Sequence, residues 1–192
     1  SVMNKAIIIS GAGLSAESGI PTFRDKGGLW EQYSIDVVAN FLTFEQNRVA
    51  VFEFFNVFRG MLNHAQPNTA HRALARLQQQ YGPERIKLIT QNVDDLLERA
   101  GCTEVLHVHG LLTQMQCLDC GQAWDIGYGE WPPYGYCPGC ASLAVKPNVV
   151  LFNEEAPRYL DMYRIVGSMT GDDCFTALGT SGQVVPVGGM IY

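Results

Sequence analysis

The chain has 192 residues, 47% of them hydrophobic and 17% charged, with a net charge of −6. That length suits one core with a small satellite, and apolar runs such as Ala6 to Ile9 fall far short of the ~20 residues that span a bilayer, so no membrane partner is expected. An acidic chain without a dense lysine or arginine cluster lacks a surface for tracking phosphates, which argues against nucleic acid as a ligand. The start, SVMNKAIIIS, leads from one lysine straight into a glycine loop and reads as a first strand, not a secretory signal, so a cytoplasmic location is expected.

In chain order, Ala6 to Ser10 is predicted to be a buried strand. It runs into SGAGLSAESGIPTFRDKGGLW, which opens like a dinucleotide-binding turn but has no glycine between Gly13 and Gly19, against the G-x-G-x-x-G rule. SIDVVANFLTFEQNRVAVFEFFNVFRGML is aromatic and amphipathic and predicts helices, its phenylalanines either packing a helical pair or lining a groove. PNTAHRALARLQQQYGP predicts a helix capped by Asn68, with Ala70, Ala73, Leu74, Leu77 and Tyr81 on one face, a structural His71, and a stop at Gly82-Pro83. Arg85 to Thr90 reads as a second strand, DDLLERAGC as a short helix closed by Gly101, EVLHVHG as a third strand ending at His109-Gly110, and DDCFTALGTSG as a later strand ending in a small-residue turn. This alternation predicts an α/β fold, a Rossmann-like doubly wound parallel sheet whose ligand lies at the carboxyl ends of its strands, where loops 11–30, 91–94, 109–110 and 179–182 all fall.

Cys117 to Cys140 breaks the alternation. Its pairs Cys117-x-x-Cys120 and Cys137-x-x-Cys140, with sixteen residues between them, match a four-thiolate zinc ribbon holding one structural ion. Two redox dithiols or a catalytic zinc are the alternatives. Cys102 and Cys174 lack partners at metal spacing and read as buried thiols. His107 and His109 are read as facing opposite ways along their strand, so that only one looks into the cleft. His109, beside Gly110, is the better placed to act as a general base on a hydroxyl. Gln91, Asn92 and Asp94 offer amide and carboxylate groups for ribose hydroxyls and a carboxamide, or else ordinary helix caps. Gly179, Thr180 and Ser181 place small residues where backbone amides meet phosphate.

Together, GAGLSAESGIPTFRDKGGLW, TQNVD, HVHG, the paired C-x-x-C motifs, KPNVVLFNE and GTSGQVVP resemble the sirtuins, NAD-dependent protein-lysine deacylases, in order and approximate spacing over nearly the whole chain. The first loop is most similar to the class III branch, which includes bacterial members. The resemblance implies one catalytic domain: a Rossmann-like lobe of residues 1–32, 67–113 and 145–192, and a small lobe of a helical module, 33–66, and a zinc ribbon, 114–144, forming one wall of the substrate cleft. It implies NAD as cofactor, its diphosphate on amides around Gly11, Ala12 and Gly13 and around Gly179, Thr180 and Ser181. Nicotinamide would sit near Ile20, Asn92 and Asp94, with Phe23 as a shield and Arg24 mobile above it. Ser15, Ala16, Glu17, Thr22, Trp30, Gln91 and Val93 would be further cofactor contacts. The acyl oxygen would attack C1′ of the ribose as nicotinamide leaves, and His109 would act as base on a ribose hydroxyl that carries the acyl group away as O-acyl-ADP-ribose.

The partners implied are acyl-lysine proteins or peptides, bound as an added strand along Val150, Phe152, Asn153 and Glu154, with Asn153 where the family usually has glycine. Phe55 and Phe58 stand where class III members that remove acidic acyl groups carry a tyrosine and an arginine; Arg59 lies one residue further, about 100° around a helix. Two phenylalanines cannot neutralise a carboxylate, so acetyl or a longer apolar group is expected over succinyl. Family members continue several dozen residues beyond the GTS turn, whereas this sequence stops at GGMIY; it is either a truncated polypeptide or one that lost part of its cofactor site, and a short form is expected to bind NAD weakly. Mono-ADP-ribosyl transfer and a non-catalytic NAD- and zinc-binding scaffold are the competing readings.

Overall fold

The computed structural model describes residues 4–21 and 29–180, with the backbone alone for Leu29 and Trp30. The elements in chain order are β1 (Ala6–Ser10), α1 (Gly13–Ala16), α2 (Leu29–Gln32), α3 (Ile35–Val38), α4 (Arg48–His64), α5 (Thr69–Tyr81) and β2 (Ile86–Thr90). They continue with α6 (Leu96–Ala100), β3 (Leu106–His107), β4 (Gly110–Cys117), β5 (Ala123–Asp125), β6 (Val145–Val149), α7 (Tyr159–Gly167) and β7 (Cys174–Leu178). The chain forms two compact units, residues 1–22, 66–109 and 156–192 in the first and 23–65 and 110–155 in the second.

The first unit is built on a parallel sheet in the order β3-β2-β1-β7. β1 is central, and its run Ile7-Ile8-Ile9 obeys the period of two of a strand buried on both faces. Ile7 and Ile9 join Ile89, Val108 and Met162 on one face. Ile8 joins Leu14, Leu74, Leu88 and Leu97 on the other. Helices therefore cover both faces, as a doubly wound sheet requires. Strand order reverses at β1, with β2 on one side and β7 on the other, so the switch point where such sheets bind ligands lies between the ends of β1 and β7.

Three local expectations are corrected here. α5 turns a different face inward: His71, Leu74, Ala75 and Gln78 are buried, while Ala70, Ala73 and Tyr81 are exposed. Two polar residues occupy core positions because each finds partners, Gln78 bridging Ile86 and Thr103 backbone atoms. Cys174 is exposed, β7 being an edge strand among the described residues. The third strand stops at His107, after two residues.

The second unit carries an antiparallel sheet in the order β5-β4-β6, together with α4. Residues 110–113 and 145–155, assigned from the sequence to the larger lobe, belong here because β4 pairs with β6. Phe52, Phe54, Phe55 and Phe58 of α4 are all buried, so their density builds a core. Arg48 is buried with them, its guanidinium lying 5.0 and 5.1 Å from the ring centroids of Phe44 and Phe52 and donating to the carbonyls of Pro133, Leu143 and Val145.

Candidate active site

In the first unit the ends of β1 and β7 meet as a glycine cradle. Gly11 N–H donates to Leu178 O and Gly13 N–H to Gly179 O, both at 2.9 Å. A Cβ at Gly11 would lie 2.7 Å from Gly179 O, one at Gly13 2.9 Å from Gly179 Cα, and one at Gly179 2.4 Å from Leu14 N. Only glycine permits this approach. The N–H groups of Gly11 and Gly13 are therefore spent on the opposite turn, and these glycines shape the cradle instead of donating to a phosphate. The donor left between them is Ala12, whose N–H has no partner among the described residues.

Beside the cradle, the loop after β2 is pinned from several directions. Asn92 donates from its N–H to Thr90 Oγ1 at 3.0 Å and from its side chain to Gly11 O at 2.9 Å and Ser15 Oγ at 3.3 Å. Asp94 is buried, which raises its pKa, while hydrogen bonds from Ser15 and the Leu96 N–H and the nearby His107 pull the other way. Ile20 is buried and Val93 half-buried, whereas Ala16 and Glu17 point to solvent. Gln91 holds a buried side-chain nitrogen with no hydrogen-bond partner among the described residues. An orphaned buried amide costs on the order of 1–3 kcal/mol, and a ligand at this strand end would remove that penalty.

The partners of three histidines assign three different protonation patterns. His71 Nδ1 accepts from the Asn68 N–H at 3.0 Å, so Nε2 carries the hydrogen it donates to Ser15 Oγ at 3.2 Å. His71 is neutral, burial lowering its pKa to about 4. His109 Nδ1 donates to Gln91 O at 3.0 Å, which leaves Nε2 as the acceptor for the Tyr159 hydroxyl. Burial lowers the pKa of His109 and raises that of Tyr159 to about 12, so the pair is a neutral base facing a protonated phenol. His107 faces acceptors on both sides, Asn92 O at 3.0 Å and the Glu98 carboxylate at 2.9 Å. The two histidines of HVHG do part company, but not by strand alternation, which puts residues two apart on the same face. The strand ends between them.

In the second unit the thiol sulfurs of Cys117, Cys120, Cys137 and Cys140 all lie within 4.8 Å of one another. Backbone N–H groups of Cys120 and Gly139 point at the sulfurs of Cys117 and Cys137. Four thiolates so gathered fit one tetrahedral zinc with no open position.

The segment after β6 is shaped by a buried pair. Lys146 Nζ donates to Pro147 O and Val149 O and lies 3.1 Å from Glu154, whose carboxylate also accepts the Leu151 N–H. Glu154 thus turns inward and does not present itself to a peptide. The backbone of Phe152 is also engaged, its N–H with Ala39 O and its carbonyl with the Phe41 N–H, while 49% of the residue is exposed. Asn153 has φ 66° and donates to Asn40 Oδ1, so asparagine fills the glycine position in a left-handed conformation it tolerates. Val150 is half-buried. Phe55 and Phe58 are buried against Phe54. Arg59 is fully buried, donating to Gly129 O, Leu112 O and Asn56 Oδ1.

Thr22, Phe23, Arg24 and Ser181 lie outside the described residues, as does the side chain of Trp30; Thr180 directly follows the cradle glycine. Sequence reasoning missed Tyr159, the Glu98–His107 pair and Lys146. Tyr159 stands 50 positions from His109, and no local spacing links them.

Residues 11–186 match the model of the Sir2 family. An "NAD-dependent protein deacylase" of Campylobacter jejuni is 43% identical over 186 residues, an alignment covering 97% of this chain and 78% of that protein. Among solved structures, an ADP-ribose complex of a mutant Sir2 homologue is similar with a TM-score of 0.84 and 37% identity, over 97% of this chain and 74% of that one. A Sir2 homolog–NAD complex is similar with a TM-score of 0.83 and 38% identity, over 97% and 72%. A glycine cradle at the switch point, a neutral histidine at the neighbouring strand end and matches of this extent lead to one assignment: the chain belongs to the Sir2 family.

Proposed function

We propose that this chain is an NAD-dependent protein-lysine deacylase with a preference for acetyl or longer apolar acyl groups. The observation that carries it is His109, a neutral imidazole whose Nε2 accepts a hydroxyl hydrogen at the strand end beside Gln91. NAD, when bound, supplies a ribosyl bond to a good leaving group and an ADP-ribose acceptor for the acyl group. Gly11, Gly13 and Gly179 let the two strand ends meet in direct backbone contact, and Ala12 offers a backbone donor for a diphosphate there. Asn92 and Asp94, fixed through Ser15, stand where a carboxamide needs polar partners, and the Gln91 amide gains one. His109 Nε2 takes the proton of a ribose hydroxyl that displaces the Tyr159 phenol, and the Nδ1–H to Gln91 O bond holds the ring in the tautomer this requires. In the second unit the cysteines hold a structural zinc, and the exposed side chain of Phe152 guides an acyl-lysine peptide.

Acyl preference follows from α4. Phe55 and Phe58 are apolar, and the Arg59 guanidinium is occupied by carbonyls, so these positions of α4 supply no cation to offset the desolvation of a succinyl carboxylate. Nicotinamide release from NAD with acetyl-, crotonyl- and succinyl-lysine peptides tests both parts. Release with the first two, O-acyl-ADP-ribose detected by mass spectrometry, and loss of that product in His109→Tyr are expected. A modified acceptor protein instead would identify ADP-ribosyl transfer, and preference for succinyl would overturn the acyl assignment.

A further inference from the structure

The histidine that sequence reasoning set aside makes the more demanding contacts. His107 is buried, and both its ring nitrogens face groups that can only accept: the Asn92 carbonyl at 3.0 Å and the Glu98 carboxylate at 2.9 and 3.0 Å. A neutral imidazole has one N–H. It would leave one nitrogen lone pair pointed at an oxygen lone pair, so this geometry is satisfied only by the imidazolium. The charged groups facing the ring are Glu98 from α6 and Asp94 from the loop after β2, with the Arg158 guanidinium 3.5 Å from the His107 carbonyl. Burial disfavours the charge, but the hydrogen bond and charge of Glu98, the Asn92 carbonyl and Asp94 outweigh it and hold the pKa above its ordinary value.

The residue on the other end of this bond is Asn92, whose side chain grips Gly11 O and Ser15 Oγ. The glycine cradle, the 91–94 loop and α6 are therefore joined through one charged ring. We propose that His107 is a positioning residue for the cofactor, an imidazolium clamped between Glu98 and the Asn92 carbonyl that keeps the 91–94 loop in its cofactor-binding form. The inference rests on NAD being the cofactor.

Two histidines from one strand end then have opposite requirements. His109 serves as a base only when neutral, and burial keeps it so down to a pH below its ordinary pKa. His107 serves as a clamp only when charged. Raising the pH through its elevated pKa forces it to release either Glu98 or Asn92, and NAD affinity falls in that direction.

The test uses the zinc-loaded 192-residue chain, with histidine ¹⁵N NMR and calorimetric NAD titration on the parent, Glu98→Gln and His107→Gln. Glu98 is surface-exposed, so its variant should fold even if His107→Gln does not. In the parent, both His107 nitrogens are expected to be protonated at neutral pH. Glu98→Gln should lower the His107 pKa by about 1–3 units, the usual effect of removing an adjacent opposite charge. It should also weaken NAD binding about five- to tenfold near pH 8, as for a typical coupling between linked sites, with a smaller loss near pH 6. His107→Gln should bind weakly with no alkaline decline of its own. A neutral His107 at neutral pH, or an NAD affinity indifferent to Glu98→Gln, overturns the inference while leaving the deacylase reading standing. A parent that shows the imidazolium yet binds no NAD overturns both.

Discussion

His109 and His107 lie two residues apart, and their partners alone separate a base from a cation. Replacing His109 with alanine should lower O-acyl-ADP-ribose formation by about 10²–10⁴-fold, the usual range for general base catalysis, with NAD binding by calorimetry largely kept. In the parent, activity should decline in acid only below the ordinary histidine range, because burial depresses the His109 pKa. His71 makes a different prediction. Its pKa is about 4 in the folded protein against an ordinary 6.5, so the unfolded chain binds the extra proton across that window and stability falls as the pH drops from 6.5 towards 4. The full loss is about 3 kcal/mol, and urea unfolding of the parent and His71→Gln at several pH values should show a pH slope for the parent that the variant lacks. A structural His71 and a basic His109 were read from the sequence, but the protonation of His71 and His107 was not, since it is set by partners such as Ser15 and Glu98 that packing brings to the ring.

α5 shows how much a single cap can carry. Asn68 accepts from the N–H groups of Ala70 and His71, its own N–H reaches His71, and its side-chain amide donates to Leu14 O and Ser18 Oγ. The cap was read correctly from the sequence, but its hold on the first loop was not, because that contact spans 54 positions. Asn68→Ala should therefore cost about 1–2 kcal/mol, the upper part of the range for lost N-caps, with a lowered melting temperature as the readout. NAD binding should weaken as well, since Leu14 and Ser18 belong to the loop that carries the cradle. The zinc ribbon was expected but the strands of the β5-β4-β6 sheet were not: a Gly-, Pro- and Trp-rich stretch gives little periodic signal when much of its stability comes from a metal.

Across the whole molecule, the chain passes between its two units at residues 22–23, 65–66, 109–110 and 155–156, so each unit is assembled from separate stretches of sequence. The metal centre belongs wholly to the second unit and the parallel sheet wholly to the first. Chelation of zinc should therefore strip amide protection from β4 and β6 while β1 and β2 keep theirs, as read by hydrogen exchange, because structural zinc contributes on the order of 10 kcal/mol to the fold it closes. Cys117→Ser should behave like the chelated parent. Among the described residues no helix is long and apolar enough to cross a membrane.

By itself the sequence determined what depends on near neighbours: β1, β2 and β7, the capped helix, the four cysteines and the departure from the G-x-G-x-x-G rule. Periodicity, capping and metal spacing are short-range properties, and they survive without a fold. Tertiary structure alone decided that Gly11 and Gly13 spend their N–H groups on the opposite turn, and that Tyr159 covers the His109 nitrogen. It alone decided that Glu154 turns inward to Lys146, and that Glu98 and Asn92 make His107 a cation. Each of these is the satisfaction of a buried polar group, and the partner that satisfies it is chosen by how strands and helices pack, not by its place along the chain.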